Sequence, residues 1–142
     1  MRLAVLARIG LRVAALMFGI SAPVMAMVHS DVDDSSAIGL RNAYTSCVSG
    51  GAMTTSGMLA CAHDEFSFQD RRLNKAYRNA MAKLSEVDKI ALRYDELRWI
   101  DEKRSRCALP ADAGTTDQVT SADCEVAETA RRATFLERRI RK

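Results

Sequence analysis

The chain has few residues that break helices and few aromatics. Its 142 residues include 7 Gly and 2 Pro, and Phe, Trp and Tyr together make up 6%. With 48% hydrophobic and 27% charged residues, this scarcity excludes a collagen-like, low-complexity or disordered protein. No stretch alternates with period two, so no sheet is expected. No uncharged run reaches the roughly 20 residues of a membrane span. The candidate, residues 13–28, is short and contains Pro23. Only two histidines occur, His29 and His63, and neither has a metal or nucleophile partner in the sequence. The triplet His63-Asp64-Glu65 lacks the Pro-Cys-x-x-Cys that accompanies His-x-Glu in zinc deaminases. A Gly-rich phosphate loop, a Gly-x-Ser-x-Gly elbow and a His-Glu-x-x-His helix are all missing. The many carboxylates form no evident acid–base pair. The chain therefore reads as a non-enzyme with no cofactor and no metal.

What the sequence does carry begins with an export signal. Arg2, Arg8 and Arg12 precede an apolar core at residues 13–20, and Val24 and Ala26 are small enough for the positions a signal peptidase reads. Cleavage is expected after Ala26, leaving one domain over residues 27–142. No cysteine follows that point, which argues against a lipid-attached form. The address expected is the periplasm or the exterior. Cleavage also changes the charge. The whole chain is formally +3, but the leader holds three Arg and no acid, so the mature part is neutral. Overall charge thus gives no argument for nucleic acid. The neutrality hides an asymmetry, −5 over residues 27–130 and +5 over 131–142. The basic end lacks the aromatic interleaving of a single-strand binder. It suits the negative end of a helix dipole, and it is the one part expected to touch a membrane.

All four cysteines, Cys47, Cys61, Cys107 and Cys124, fall in the mature part. An even count in an exported chain implies disulfides. Of three pairings, the local one, Cys47–Cys61 with Cys107–Cys124, is preferred, because each bridge would clamp neighbouring helices. Zinc needs ligands close in sequence, and these intervals are too long.

The remaining pattern is helical, and about four helices are expected. The acidic stretch at residues 31–36 suits a helix start, Ile38, Ala43 and Tyr44 supply a weak apolar stripe, and Gly50-Gly51 ends it. From Met58 to Leu84, apolar and polar residues including Cys61, Glu65, Phe66, Gln69, Asp70, Leu73, Asn74, Tyr77 and Met81 recur at steps of three and four. Ser85 opens a capping-box-like start to a third helix reaching Cys107, with Ile90 or Leu92, Leu97, Trp99 and Ile100 on its apolar side. Residues 109–120 read as a loop, and Thr120 or Ser121 as the cap of a last helix with Val126, Thr129, Ala133, Leu136 and Ile140 inward. The architecture expected is all-α. The second and third helices form a long antiparallel hairpin, and the first and fourth are tied to its open end.

The run Cys61-x8-Asp70-x2-Leu73-Asn74-x2-Tyr77, then Leu92-x6-Trp99-Ile100-x6-Cys107, then Cys124-x4-Thr129-x2-Arg132-x3-Leu136 resembles the LprI-type lysozyme-inhibitor family of small exported bacterial helical domains. The resemblance covers roughly residues 47–140. It implies a binding protein that blocks lysozyme or another cell-wall hydrolase by occluding its cleft. The alternative is a structural, assembly or immunity-type partner in the cell envelope. Three positions depart from the family pattern: Glu96 stands where Gln is usual, and Lys103-Arg104 where Arg-Asp is usual. A polar cluster at that level is expected to be absent or rewired. Of the motif residues, Leu73, Tyr77 and Trp99 are expected in the core. Asp70 and Asn74 are expected to bond to a neighbouring helix, with Arg132 as candidate partner. The competing reading makes the same residues a recognition site.

Overall fold

A computed structural model describes residues 36–51 and 54–140. The expected leader, His29 and the acidic stretch at residues 31–35 lie outside the described residues. Among the described residues the fold is all-α, without strands. Helix α1 spans Asn42–Ser46 and runs on into a π-helical turn, Cys47–Gly51. It is followed by α2 (Thr55–Lys83), α3 (Glu86–Arg106) and α4 (Thr115–Ile140).

Most helix ends follow their capping chemistry. The Thr54 hydroxyl accepts the Gly57 N–H at 3.1 Å and opens α2. Ser85 accepts the Asp88 N–H at 3.2 Å and opens α3. Glu86 and Asp88 lie in the first turn of α3 and Lys103, Arg104 and Arg106 in its last, the order the helix dipole favours. Two ends differ from expectation. Helix α4 starts at Thr115, well before Thr120 and Ser121, because Asp117 takes the Gly114 N–H at 2.8 Å and places a carboxylate in the first turn. The first helix is broken. A short helical turn at residues 36–38 stops at Gly39, whose φ of 80° ends it, and α1 begins afresh after Arg41.

The long helices run up, down and up. Leu92, Glu96 and Lys103 of α3, and Cys107 at its C-terminal cap, meet Leu136, Arg132, Glu125 and Cys124 of α4, so these two are antiparallel. Cys61 and Ala62 of α2 meet Val126, while Arg72 meets Glu137, so α2 and α4 are parallel. The hairpin of α2 and α3 turns at Leu84 and Ser85, but the tightest seam is between α2 and α4. Ala62, Ala76 and Ala80 on one side and Ala130 and Ala133 on the other are all buried, and small side chains let helix axes approach closely. Leu73, Leu92 and Leu136 fill the core beside the seam, with Tyr77, Met81, Leu84 and Trp99 packed against it.

Of the apolar side expected on α3, only Leu92 is buried. Ile90 and Leu97 are exposed, as are Val87 and Tyr94, because the helix has just two neighbours and turns Leu92 and Trp99 toward them. The described part of the basic end, residues 131–140, is likewise no separate tail: Ala133 and Leu136 are fully buried within it, while residues 141–142 lie outside the described residues.

Both disulfides are local, Cys47–Cys61 and Cys107–Cys124. They tie α1 to α2 and α4 to α3 at the open end of the hairpin. Closing loops of this length stabilises by roughly 3 kcal/mol each in the chain-entropy model.

A buried polar network docks the segment before α1. Glu65 and Gln69 are fully buried. Glu65 accepts from the Arg41 amide at 3.1 Å, from Arg41 Nε at 2.6 Å and from Gln69 Nε2 at 2.7 Å. Gln69 also donates to the Gly39 carbonyl at 2.8 Å. Arg72 donates to the Ile38 carbonyl, Gln69, Thr134 and both oxygens of Glu137. A Cβ on Gly39 would lie 2.8 Å from Arg72 Nη1. Burying so much polarity is tolerated because every member has a partner.

Candidate functional site

The motif residues come together from three helices. Asp70, Leu73, Asn74 and Tyr77 of α2, Glu96, Trp99, Ile100 and Lys103 of α3, and Thr129 of α4 line one groove of about 320 Å³. The two hairpin helices stand apart here because Tyr77, Trp99 and Ile100 are large, whereas alanines close the opposite seam. Leu73 is buried at the base of the groove, and Tyr77 and Trp99 are half-buried. Thr129 is buried, its hydroxyl donating to the Glu125 carbonyl one turn back at 2.7 Å.

Asp70 and Asn74 do not reach another helix. The Asn74 amide donates to the Asp70 carbonyl at 2.9 Å and to its carboxylate at 3.0 Å, and the pair sits on the groove's rim. The spacing of four that places them on one face also lets them satisfy each other locally.

Arg132 takes its partners from α3 and lies behind the groove. It donates to Glu96 at 2.7 and 3.0 Å and to Asp95 at 2.6 Å. Its guanidinium lies 5.7 Å from the Trp99 ring centroid and 5.0 Å from that of Phe135. The hydrogen bond from Arg132 holds the Asp95 carboxyl below its usual range. A polar cluster is thus present at this level, and two of the departures from the family pattern build it. Glu96 brings the charge that Arg132 binds. Lys103 pairs with Glu125 and stands 5.3 Å from the Phe66 ring and 5.5 Å from the Trp99 ring. Arg104 faces solvent and pairs with Asp101 on its own helix.

The groove has two aromatic walls, a polar rim and Leu73 at its base, with the side chains of Glu96 and Lys103, each paired to α4, beside them, a composition suited to holding another molecule. Among the described residues, no group of three or more His, Cys, Asp or Glu could hold a metal ion. His63 is exposed and lines a separate shallow groove with Leu59, Ala62, Phe66, Ala122 and Glu125. Sequence reasoning passed over the network of Arg41, Glu65, Gln69 and Arg72. The signal it offered was that Glu65 and Gln69 share the inward stripe of α2.

The helix order also separates charge. Because α2 and α4 are parallel, their first halves share the disulfide end and their second halves the opposite end. Residues 36–69 and 97–130, at the disulfide end, carry nine acidic and five basic side chains. Residues 70–96 and 131–140 carry six acidic and eleven basic. Among the described residues the acidic excess thus gathers at one pole and the basic excess at the other, and the second half of α2 joins the basic one.

The chain is thus a small, disulfide-clamped, all-α domain with a groove between its hairpin helices. Residues 47–136 match the family described as lysozyme inhibitor LprI, and the chain belongs to that family. No curated protein and no solved structure matches it.

Proposed function

We propose that the protein is an exported, non-enzymatic inhibitor of a muramidase that acts by covering the enzyme's cleft. The family match carries this reading. The two disulfides and the expected leader suit an oxidising compartment. A muramidase needs two carboxylates and access to a sugar chain, so a protein seated over that channel stops it without chemistry of its own. The acidic pole faces a basic enzyme and speeds the encounter, while the basic pole points away. The groove, which spans the junction of the two poles, supplies the contact. Asp70 and Asn74 are satisfied within their own turn and tie no helices together, so their place on the rim suits recognition rather than scaffolding.

Inhibition assays on the double variant Asp70→Ala/Asn74→Ala test the groove. Loss of about tenfold in affinity with unchanged melting is expected, the size of an ordinary interface hot spot. Native inhibition by that variant removes the groove from the interface. The absence of inhibition by the native protein at micromolar concentration overturns the function.

A further inference from the structure

The basic pole contains a second and larger cleft, of about 750 Å³, on the side of α2 away from the groove. It is lined by Phe68, Arg71, Arg72, Lys75, Asn79 and Lys83, with Glu137 across from them. The one carboxylate, Glu137, is held by Arg72 through both oxygens at 2.7 and 2.8 Å. Arg72 in turn spends its remaining donors on Ile38, Gln69 and Thr134, so it forms a fixed wall. Arg71 and Lys75 are exposed and pair with no carboxylate among the described residues.

Arg71, Lys75 and Asn79 follow one another at steps of four, an inclined row of donors that climbs about 12 Å along α2 at 1.5 Å per residue. Arg71 and Lys75, four residues apart, repel each other and weaken the helix unless something neutralises them. We propose that this row binds a linear phosphate-bearing polyanion, laid along α2 with successive phosphates on successive turns. A row inclined along a cleft fits a chain better than a planar lipid surface. The exposed apolar residues that could enter a bilayer, among them Val87, Ile90, Tyr94 and Leu97 on α3 and Phe135 on α4, all lie outside this cleft. The proposal is independent of the inhibitor reading, because it uses neither the groove nor the acidic pole.

The test uses protein expressed from the full-length sequence, with both disulfides intact, and three probes: inorganic polyphosphate, inorganic monophosphate and phosphatidylglycerol vesicles. Polyphosphate binding that weakens with salt is expected. Arg71→Gln/Lys75→Gln should bind it at least about tenfold more weakly and with a shallower salt dependence, since two counterion-releasing contacts are gone. Arg93→Gln, an exposed cation on α3, should bind within about twofold of native, the change expected where no contact is lost. Muramidase inhibition should be unchanged in the Gln/Gln variant, and its melting temperature unchanged or slightly higher, because the repulsion is relieved. Native-like polyphosphate binding by that variant, or an equal loss in Arg93→Gln, overturns the site. Monophosphate binding as tight as polyphosphate overturns the linear ligand. Vesicle binding that is tighter than polyphosphate binding and is lost in the same variant assigns the cleft to a lipid surface and overturns the polymer.

Discussion

Glu65→Ala isolates what holds the N-terminal segment to the bundle. The native carboxylate is fully buried and accepts three hydrogen bonds, two of them from Arg41. Removing one partner of a buried ion pair costs about 3–5 kcal/mol. Two features move the figure to the low end. The Arg41 side chain is 30% exposed and keeps Asp64 at 2.7 Å, and Gln69 keeps the Gly39 carbonyl. A loss of about 3 kcal/mol follows, which for a domain of this size lowers the melting temperature by about 12 °C. Replacing both partners, as in Glu65→Leu/Arg41→Met, leaves no stranded charge and should recover to within about 1 kcal/mol of native. Circular dichroism melts of the oxidised protein measure both variants. Hydrogen exchange should rise first at residues 39–44 in the single variant. A single variant within about 1 kcal/mol of native, or a double variant as unstable as the sum of the two singles, would refute the network's role.

Three other outcomes follow from the same structure. Cys107→Ala/Cys124→Ala opens a loop of sequence separation 17 and should cost about 3 kcal/mol in denaturant titrations; a loss below about 1 kcal/mol would contradict the clamp. Gly39→Ala, at φ 80° and facing Arg72, should cost about 2 kcal/mol in thermal melts. Gly50→Ala meets nothing within 4 Å and should be near neutral, and equal effects at the two glycines would show that the Arg72 contact is irrelevant. Asp95 has a folded pKa below its unfolded value of about 3.9, so its stabilisation is complete above that pH and is lost as pH falls through the folded value. The stability gap between native and Asp95→Asn should therefore close as pH drops below about 4, and a gap constant from pH 6 to 2 would contradict the Arg132 bond.

What the sequence disclosed depended on how local the cause was. The disulfide pairing, the α2 pattern and the Ser85 cap arise within a turn or between neighbouring helices, and all were legible. The start of α4 was misplaced because Thr120 and Ser121 look like caps, while Asp117, three residues after Gly114, performs the task. The α2–α4 seam was invisible to a search for large apolar residues, since alanines make it. Ile90 and Leu97 were given to the core because a helical period does not say how many neighbours a helix has. In the candidate site, spacing placed Asp70, Leu73, Asn74 and Tyr77 on one face, and Trp99 and Thr129 join them from other helices. The partner of Arg132 was missed because Asp95 and Glu96 lie on a different helix, and only the fold brings them together. The charge blocks were legible as blocks. Their arrangement into poles required knowing that α2 and α4 run in parallel.

The central claim is that this domain inhibits a muramidase through an acidic pole and the neighbouring groove. The most direct measurement is the inhibition constant of the oxidised native protein against a strongly basic muramidase over a series of salt concentrations. Inhibition at micromolar protein or below, weakening steadily as salt rises, is the predicted result. Inhibition indifferent to salt would contradict the electrostatic orientation, and no inhibition at any salt concentration would contradict the function itself.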